Sequence, residues 1–388
     1  MAKRTHFRIA VATAGFKGTL SATEAAKAVC AGFKRASKIF LPLPIPVADG
    51  GSGTVDAVLA ARGGRKIRAR VADPLGRPIT AKYAILNDGK TAVIEMSAAS
   101  GMSLLKKSEL NPMRATTFGT GQLILSALNH GARKIIVGIG DSATVDGGAG
   151  MATALGARLL DNRGKPVPPG GGGLAKLHAI DAGGIDPRIK RTKILVAADV
   201  NNPFLGKNGA ARVFAPQKGA TPSQVKRLEG NLVRFARIIK RDLGVDVRRM
   251  KHSGAAGGLG AGLCAFLGAE LCPGGETIAE LTGLRKLLRG CSLVITGEGR
   301  VDYQTASGKA PACVAKTARE LHIPVFAFCG TVGDGWEKLH RLGVSAVFAA
   351  SDGEKKAVPT KKTASRRLVS LAERVGRLLI ECAEPCRR

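Results

Sequence analysis

A chain of 388 residues with 45% hydrophobic content holds enough apolar material for two folded domains. Its 60 lysines and arginines against 29 aspartates and glutamates leave a formal charge of +31, which points to an anionic partner: nucleic acid, an acidic membrane or a small acidic substrate. Aromatic content of only 4% removes the stacking platforms of single-strand binders, and the scattered basic residues show neither zinc-finger spacing nor an RNA-binding sheet signature, so no specific nucleic-acid partner is expected.

Phe7–Ala12 reads as a first buried strand, followed by a turn carrying Lys17 and Gly18 and then a helix over 21–34 opened by a Ser21/Glu24 capping box. Lys17 therefore stands just ahead of a helix N-terminus, suited to a phosphate or a carboxylate, or else is a solvated loop lysine. The short apolar segment from Ile45 ends at Asp49 among glycines, with Val55–Ala61 helical after it. Asp49 is either a helix cap or a base or metal ligand at the C-terminal end of a strand, where α/β proteins place their chemistry.

After Lys66 the rhythm changes. Arg68–Ala72, Thr80–Leu86 and Thr91–Met96 are short strands with Asp73–Pro78 as a turn between the first two, a pattern that predicts antiparallel pairing and an inserted domain. Phe118–Asn129 is a helix. Ile135–Val137 is a buried strand running into a turn of glycines with Asp141, Ser142, Thr144 and Asp146, before a helix from Met151. Such a turn gathers backbone N–H groups and predicts an anion cradle of Ser142, Thr144, Asp146, Gly147 and Gly148. Gly138 and Gly140, with Asp161 about twenty residues on, also fit a loose dinucleotide fingerprint.

Lys193–Ala198 is a strand ending at Asp199. Pro222–Leu243 is a long amphipathic helix with a basic, solvated face, and Ser253–Ala269 reads as a buried helix with its approach loop rather than a membrane span. From Cys291 a βαβ rhythm returns: Ser292–Thr296 ends in Gly297, Glu298, Arg300 and Asp302, Lys309 and Pro311 open a helix, Pro324–Cys329 and Val344–Ala349 are strands, and a last helix covers about 362–381. These strands are expected to join Phe7–Ala12 in one parallel sheet. Residues 1–66 and 287–388 then form a discontinuous domain around an insertion of residues 67–286. Eight cysteines without a C-x-x-C pair, and an N-terminal apolar run too short for a secretory signal, favour the cytoplasm and no membrane association.

Acids at strand ends (Asp49, Asp141, Asp146, Asp199, Glu298, Asp302), cations in the same kinds of turn (Lys17, Arg300, Lys309) and glycine loops are the components of phosphoryl transfer. No Walker sequence, kinase catalytic loop, zinc-binding histidine pair or G-x-S-x-G elbow occurs.

At these residues the chain resembles the type I glycerate kinase family. The resemblance runs from about Phe7 to about Gly330 and rests on Phe16-Lys17-Gly18 with Leu20-Ser21, Ala48-Asp49-Gly50-Gly51 with Gly53-Thr54, Asp73-Pro-Leu-Gly-Arg77, Glu95-Met96 with Ala99-Ser100-Gly101, and Thr116-Thr-Phe-Gly119-Thr-Gly121. It continues through Ser142-Ala-Thr144 with Asp146-Gly-Gly148, Asn202-Pro203, Pro216-Gln-Lys218-Gly219, the glycine run from Gly254 to Gly260, and Gly297-Glu-Gly-Arg300 with Asp302, Gln304-Thr305 and Ser307-Gly-Lys309-Ala-Pro311. It implies a two-domain α/β fold, a flavodoxin-like parallel-sheet domain with an inserted second α/β domain, and a site in the cleft between them. It also implies ATP- and Mg²⁺-dependent phosphorylation of D-glycerate, giving 2-phosphoglycerate. Under it Asp49 orients or deprotonates the hydroxyl, Asp199, Glu298 and Asp302 hold Mg²⁺, and Lys17, Arg300 and Lys309 hold phosphate or carboxylate. Self-association into a homo-oligomer is left open.

Ala14-Gly15, Ser52, Val145 and Tyr303 depart from the family pattern, which has Asp-Ser, glutamate, asparagine and a small residue there. Two readings therefore stand beside D-glycerate phosphorylation: action on another hydroxy acid, and a non-catalytic ligand-binding relative.

Overall fold

Apolar runs too continuous for a half-exposed strand need cover on both faces, and Phe7–Thr13 has it: Ile9, Ala10, Val11 and Ala12 are all fully buried. The computed structural model describes residues 6–16, 18–351 and 359–383. The chain divides into two units: one takes the chain up to Ala48, Asp56–Ala61 and everything from Gly275, and the other takes Asp49–Val55 and Arg62–Gly274.

In the first unit five parallel strands lie in the order Val344–Ala349, Val325–Val332, Leu293–Val301, Phe7–Thr13, Phe40–Pro44. In chain order this is 2-1-3-4-5, the flavodoxin-like arrangement implied by the resemblance. Ile9 to Thr13 run opposite Leu293 to Gly297, so the two central strands end together. Their alternation sorts the core: Ile9 and Val11 face a cluster with Phe33 and Leu368, whereas Ala10 and Ala12 face one with Val314 and Ala315. The predicted capping box is present. Glu24 N–H donates to Ser21 Oγ at 3.3 Å and Ser21 N–H to Glu24 Oε2 at 3.0 Å, opening the helix Ala22–Ala36.

The second unit has a six-stranded sheet in the order Glu270–Pro273, Lys193–Ala198, Lys134–Gly138, Thr91–Glu95, Pro78–Leu86, Gly64–Ala72. Gly64–Ala72 and Pro78–Leu86 form the expected antiparallel pair. Thr91–Glu95 is antiparallel to Pro78–Leu86 but parallel to Lys134–Gly138, so the meander hands over to a parallel sheet there. Tyr83, Ile94, Leu123 and Ile135 fill the core between this sheet and its helices. The buried helix is Ala255–Leu267, in which Ala256, Gly257 and Gly258 take left-handed angles. A Cβ on Gly257 would lie 1.9 Å from Thr144 O, so glycine is required by both angle and space. Among the described residues no helix is long and apolar enough to cross a membrane.

In the first unit the helices Ala22–Ala36 and Lys361–Ala383 meet at Gly32, where a Cβ would stand 2.3 Å from Val369 O and 2.6 Å from Ala372 Cβ. Backbone cannot yield as a side-chain tip can. Gly32→Ala should therefore destabilise the protein by about 1–3 kcal/mol despite its better helix propensity. Urea denaturation measures it, and an unchanged or raised midpoint would show that the helices separate freely.

Candidate active site

In the second unit, Lys134–Gly138 and Lys193–Ala198 end side by side, and the loop from Asp49 crosses them closely. A Cβ at Gly138 would lie 2.3 Å from Gly50 O, and one at Gly140 would lie 2.6 Å from Gly51 Cα. These glycines thus admit the chain's own loop and not a pyrophosphate, which removes the dinucleotide reading. Asp161 likewise folds its own turn, accepting from the N–H of Arg163 at 2.8 Å and of Lys165 at 2.9 Å.

The same loop gathers carboxylates. A Cβ on Gly51 would be 3.2 Å from Asp141 Oδ2 and 3.5 Å from Asp49 Oδ1, and one on Gly274 would be 2.3 Å from Asp199 Oδ1 and 2.0 Å from Asp49 O. Asp199 follows the strand Lys193–Ala198 as expected, whereas Asp49 is carried on a loop, because the segment from Ile45 forms no strand, and meets Asp199 at Gly274. Asp141 has a left-handed backbone (φ 57°), a conformation aspartate tolerates, and its Oδ2 accepts from Ser52 N–H at 3.1 Å. Glu95, absent from the predicted site, ends a neighbouring strand and accepts from Gly53 N–H (3.1 Å) and Val55 N–H (2.7 Å), holding the N-terminal turn of the helix Thr54–Arg62.

Asp146 turns inward. It is fully buried and accepts from Thr117 N–H (2.8 Å), Thr117 Oγ1 (2.9 Å), Gly148 N–H (3.1 Å) and Gly150 N–H (3.2 Å), with Thr116 Oγ1 at 3.4 Å. It thus clamps the first turns of Phe118–Asn129 and Ala149–Ala154. Gly147 N–H donates to Gly257 O at 3.1 Å, and a Cβ on Gly148 would touch Gly262 Cα at 3.0 Å. The donors expected to cradle an external anion at Asp146, Gly147 and Gly148 are thus engaged within the chain. Burial pushes the Asp146 carboxyl up and the Thr117 and glycine donors pull it back.

Beside it stands Lys218, also fully buried, its ammonium donating to Ser142 Oγ at 2.6 Å and Thr144 O at 2.7 Å. Burial pulls this lysine down to about 7, and the Asp146 charge pulls the other way. Thr144 Oγ1 is buried with no hydrogen-bond partner among the described residues. Lys218 lay within a motif of the resemblance but was not a predicted site residue. A lysine in a Pro-Gln-Lys-Gly turn gives no sign that it points inward.

In the first unit the predicted residues meet where Leu293–Val301 runs past the end of Phe7–Thr13, the point where strand order reverses and α/β sheets open a crevice. Glu298 Oε1 accepts from Thr305 Oγ1 at 2.7 Å and its Oε2 lies 3.8 Å from Lys309 Nζ. Arg300 Nε lies 3.3 Å from Asp302 Oδ2, whose other oxygen accepts from Gln304 N–H at 2.9 Å. Lys309 is the N-cap residue of the helix Ala310–Glu320. The carboxylates expected to hold a metal are divided, Asp199 in the second unit and Glu298 and Asp302 in the first. Among the described residues no group of three or more His, Cys, Asp or Glu is placed to hold a metal ion. Lys17 and part of the basic segment 355–367 lie outside the described residues.

Residues 9–380 match the model of the Glycerate kinase family. The Glycerate 2-kinase of Escherichia coli (strain K12) is 47% identical over 342 residues, 88% of this chain and 90% of its own. The Glycerate kinase of Haemophilus influenzae is 41% identical over 372 residues, 96% of this chain and 98% of its own. A solved chain from Salmonella typhimurium LT2, provisionally assigned as glycerate kinase 2, matches with a TM-score of 0.82 at 42% identity, covering 97% of this chain and 99% of that one.

The Lys218 geometry fixes a pH dependence. The unfolded chain keeps this proton up to the ordinary lysine range, while the folded chain sheds it from about pH 7 upward. The unfolded state thus binds more protons across that window, and stability contributed at this position rises with pH from about 7 towards 10. Denaturation midpoints of the wild type and Lys218→Met, compared at intervals through that range, should show the wild type gaining on the variant. Parallel curves would mean that Lys218 stays charged throughout.

Proposed function

The chain belongs to the glycerate kinase family, and from that premise we propose that it transfers the γ-phosphoryl group of ATP to D-glycerate, giving 2-phosphoglycerate and ADP. The observation that carries this reading is the 41–47% identity to proteins named glycerate kinase over most of the chain. Carboxylates at the C-terminal ends of parallel strands in each unit, joined in the first unit by Arg300 and Lys309, support it, because phosphoryl transfer needs positioning and charge neutralisation more than covalent chemistry. From the eight cysteines without a C-x-x-C pair, we place the enzyme in the cytoplasm.

In the transfer, the glycerate 2-hydroxyl oxygen bonds to the γ-phosphorus, the bond to the β,γ-bridging oxygen breaks, and ADP leaves. Asp49 orients that hydroxyl and accepts its proton. Arg300 and Lys309, held in weak pairs with Asp302 and Glu298 at 3.3 and 3.8 Å, exchange those partners for phosphate oxygens. Lys17 keeps its sequence-based role as a phosphate or carboxylate ligand.

Mg²⁺ is commonly held by one or two carboxylates completed by water and substrate phosphates, so a three-carboxylate cage is not required. Glu298, near the end of the strand Leu293–Val301, and Asp302, just past it, fit that donor set, with Asp199 as the further candidate. Such an ion supplies neutralisation of the charge on the β- and γ-phosphates.

ADP release on mixing ATP, Mg²⁺ and D-glycerate, with ³¹P NMR of the product, tests the activity and the hydroxyl used. Absence of D-glycerate-dependent ADP release overturns the reading, and 3-phosphoglycerate as product overturns its regiochemistry. Asp302→Asn should lower kcat at least about 100-fold, the scale of losing one charge-stabilising group, while leaving the denaturation midpoint almost unchanged. Wild-type turnover in that variant would remove Asp302 from the mechanism.

A further inference from the structure

Within the second unit the turn 161–165, the short helical turn Gly173–Lys176 and the long helix Pro222–Leu243 line a solvent-open cavity of about 590 Å³. None of its lining residues belongs to the groups assigned to phosphoryl transfer. Four of the nine are Lys or Arg (Arg163, Lys165, Lys176, Arg234) and His178 makes a fifth basic group, against 60 Lys and Arg in 388 residues overall. The enrichment is local and exceeds what the chain's general basicity supplies.

These charges are only partly compensated: the one carboxylate in the lining is Asp161, held low by its own turn and by the nearby Arg163 and Lys165 charges. Among the described residues none of the four Lys and Arg side chains has an ion-pair partner, although many other surface cations here do. The nearby carboxylates are committed. Asp161 accepts from two N–H groups of its own turn, and Asp242 pairs with Arg241 and accepts from Ile180 N–H at 2.8 Å. The Asp161 turn is what sets Arg163 and Lys165 at the cavity. Arg234 Nη1 donates to Leu177 O at 3.3 Å, fastening the long helix to the cavity wall. The exposed Ala175 and the alkyl stems of Lys165 and Lys176 give the lining its apolar surface, with Leu177 fully buried behind it.

Like charges held around one concavity repel, and a multivalent anion there converts that repulsion into attraction. Guanidinium and ammonium groups together match phosphate oxygens, and the apolar lining accommodates a carbon body. The volume lies in the range of small-molecule sites and is far too small for a nucleic-acid duplex. We propose that this cavity binds a small organic phosphate at a second site, distinct from the groups assigned to phosphoryl transfer.

Titration of the full chain with ribose 5-phosphate, followed through the His178 imidazole resonances and assigned with His178→Gln, tests this. Inorganic phosphate and uncharged ribose serve as controls. Saturable His178 shifts with ribose 5-phosphate, absent with ribose, are expected. They should weaken at least tenfold in Lys165→Gln/Lys176→Gln and weaken with added salt. Because neither replaced lysine has an ion-pair partner among the described residues, the double variant should unfold at a nearly unchanged denaturant midpoint without ligand. Arg163→Gln provides the same measurement if the double variant fails to express. Unmoved His178 resonances, affinity unaltered by the substitutions, or equal response to ribose would each overturn the site. Equal affinity for inorganic phosphate would reduce it to a simple ion site and overturn the organic-ligand assignment.

Discussion

A carboxylate removed from water must be supplied with donors or take up a proton, and Asp146 is supplied from two helices at once. Its oxygens draw in the N-terminal turns of Phe118–Asn129 and Ala149–Ala154, four close hydrogen bonds in all, with Thr117 serving through both its N–H and its hydroxyl. Hydrogen bonds to a charged acceptor are worth about 1.5–3 kcal/mol each, and isolating such a charge costs several. The arrangement stands only if every donor is in place. Gly147 and Gly148 take positive φ to aim the turn, and Gly257 and Gly262 leave room for it. Lys218 then enters the same dry volume and holds Ser142 and Thr144 from the other side. The ends of two central strands and the loop over them are thereby fixed relative to this buried pair.

The parts of the fold that sequence made legible are those whose burial is two-sided. Ile9–Ala12, Ile135–Val137 and Leu293–Thr296 are fully or nearly fully buried, so continuous apolar runs announced them. Two strands escaped notice, Phe40–Pro44 and Glu270–Pro273, and both lie at sheet edges and end in proline. An edge strand needs only one partner and tolerates proline: Phe40–Pro44 is apolar, but Pro42 and Pro44 obscure its strand signal, and Glu270–Pro273 is only four residues long. The hairpin Arg158–Leu160 with Ala179–Asp181 is too short to show a period.

Site residues were legible by type and position, less so by direction. A glycine-rich turn with acids reads alike whether its N–H groups serve a bound phosphate or the chain's own carboxylate. At Asp146 the partner is Thr117, earlier in the chain, and the neighbouring cation is Lys218, far beyond it; neither relation is periodic. At Glu298 and Asp302 the signal was better, because the short stretch of chain that carries the acids also carries their partners Arg300, Thr305 and Lys309.

The departures from the family pattern do not weigh equally once each is placed. Val145 is fully buried beside Asp146, where a Cβ on Gly171 would lie 2.3 Å from its carbonyl oxygen. An amide side chain at that position would need its own partners in a dry region, so valine there fits the packing of the fold. Ser52 is exposed, donates its N–H to Asp141 and its hydroxyl to Ser97 Oγ at 3.3 Å, and sits beside the loop in which Asp49, Asp141 and Glu95 already gather. A carboxylate in its place would add a fourth like charge, at about 1–4 kcal/mol per close neighbour for dielectrics between water and protein surface. Serine removes that repulsion where solvent reaches. Of the departures in the second unit, it is therefore at Ser52, and not at Val145, that an added charge would meet neighbouring carboxylates within reach of solvent.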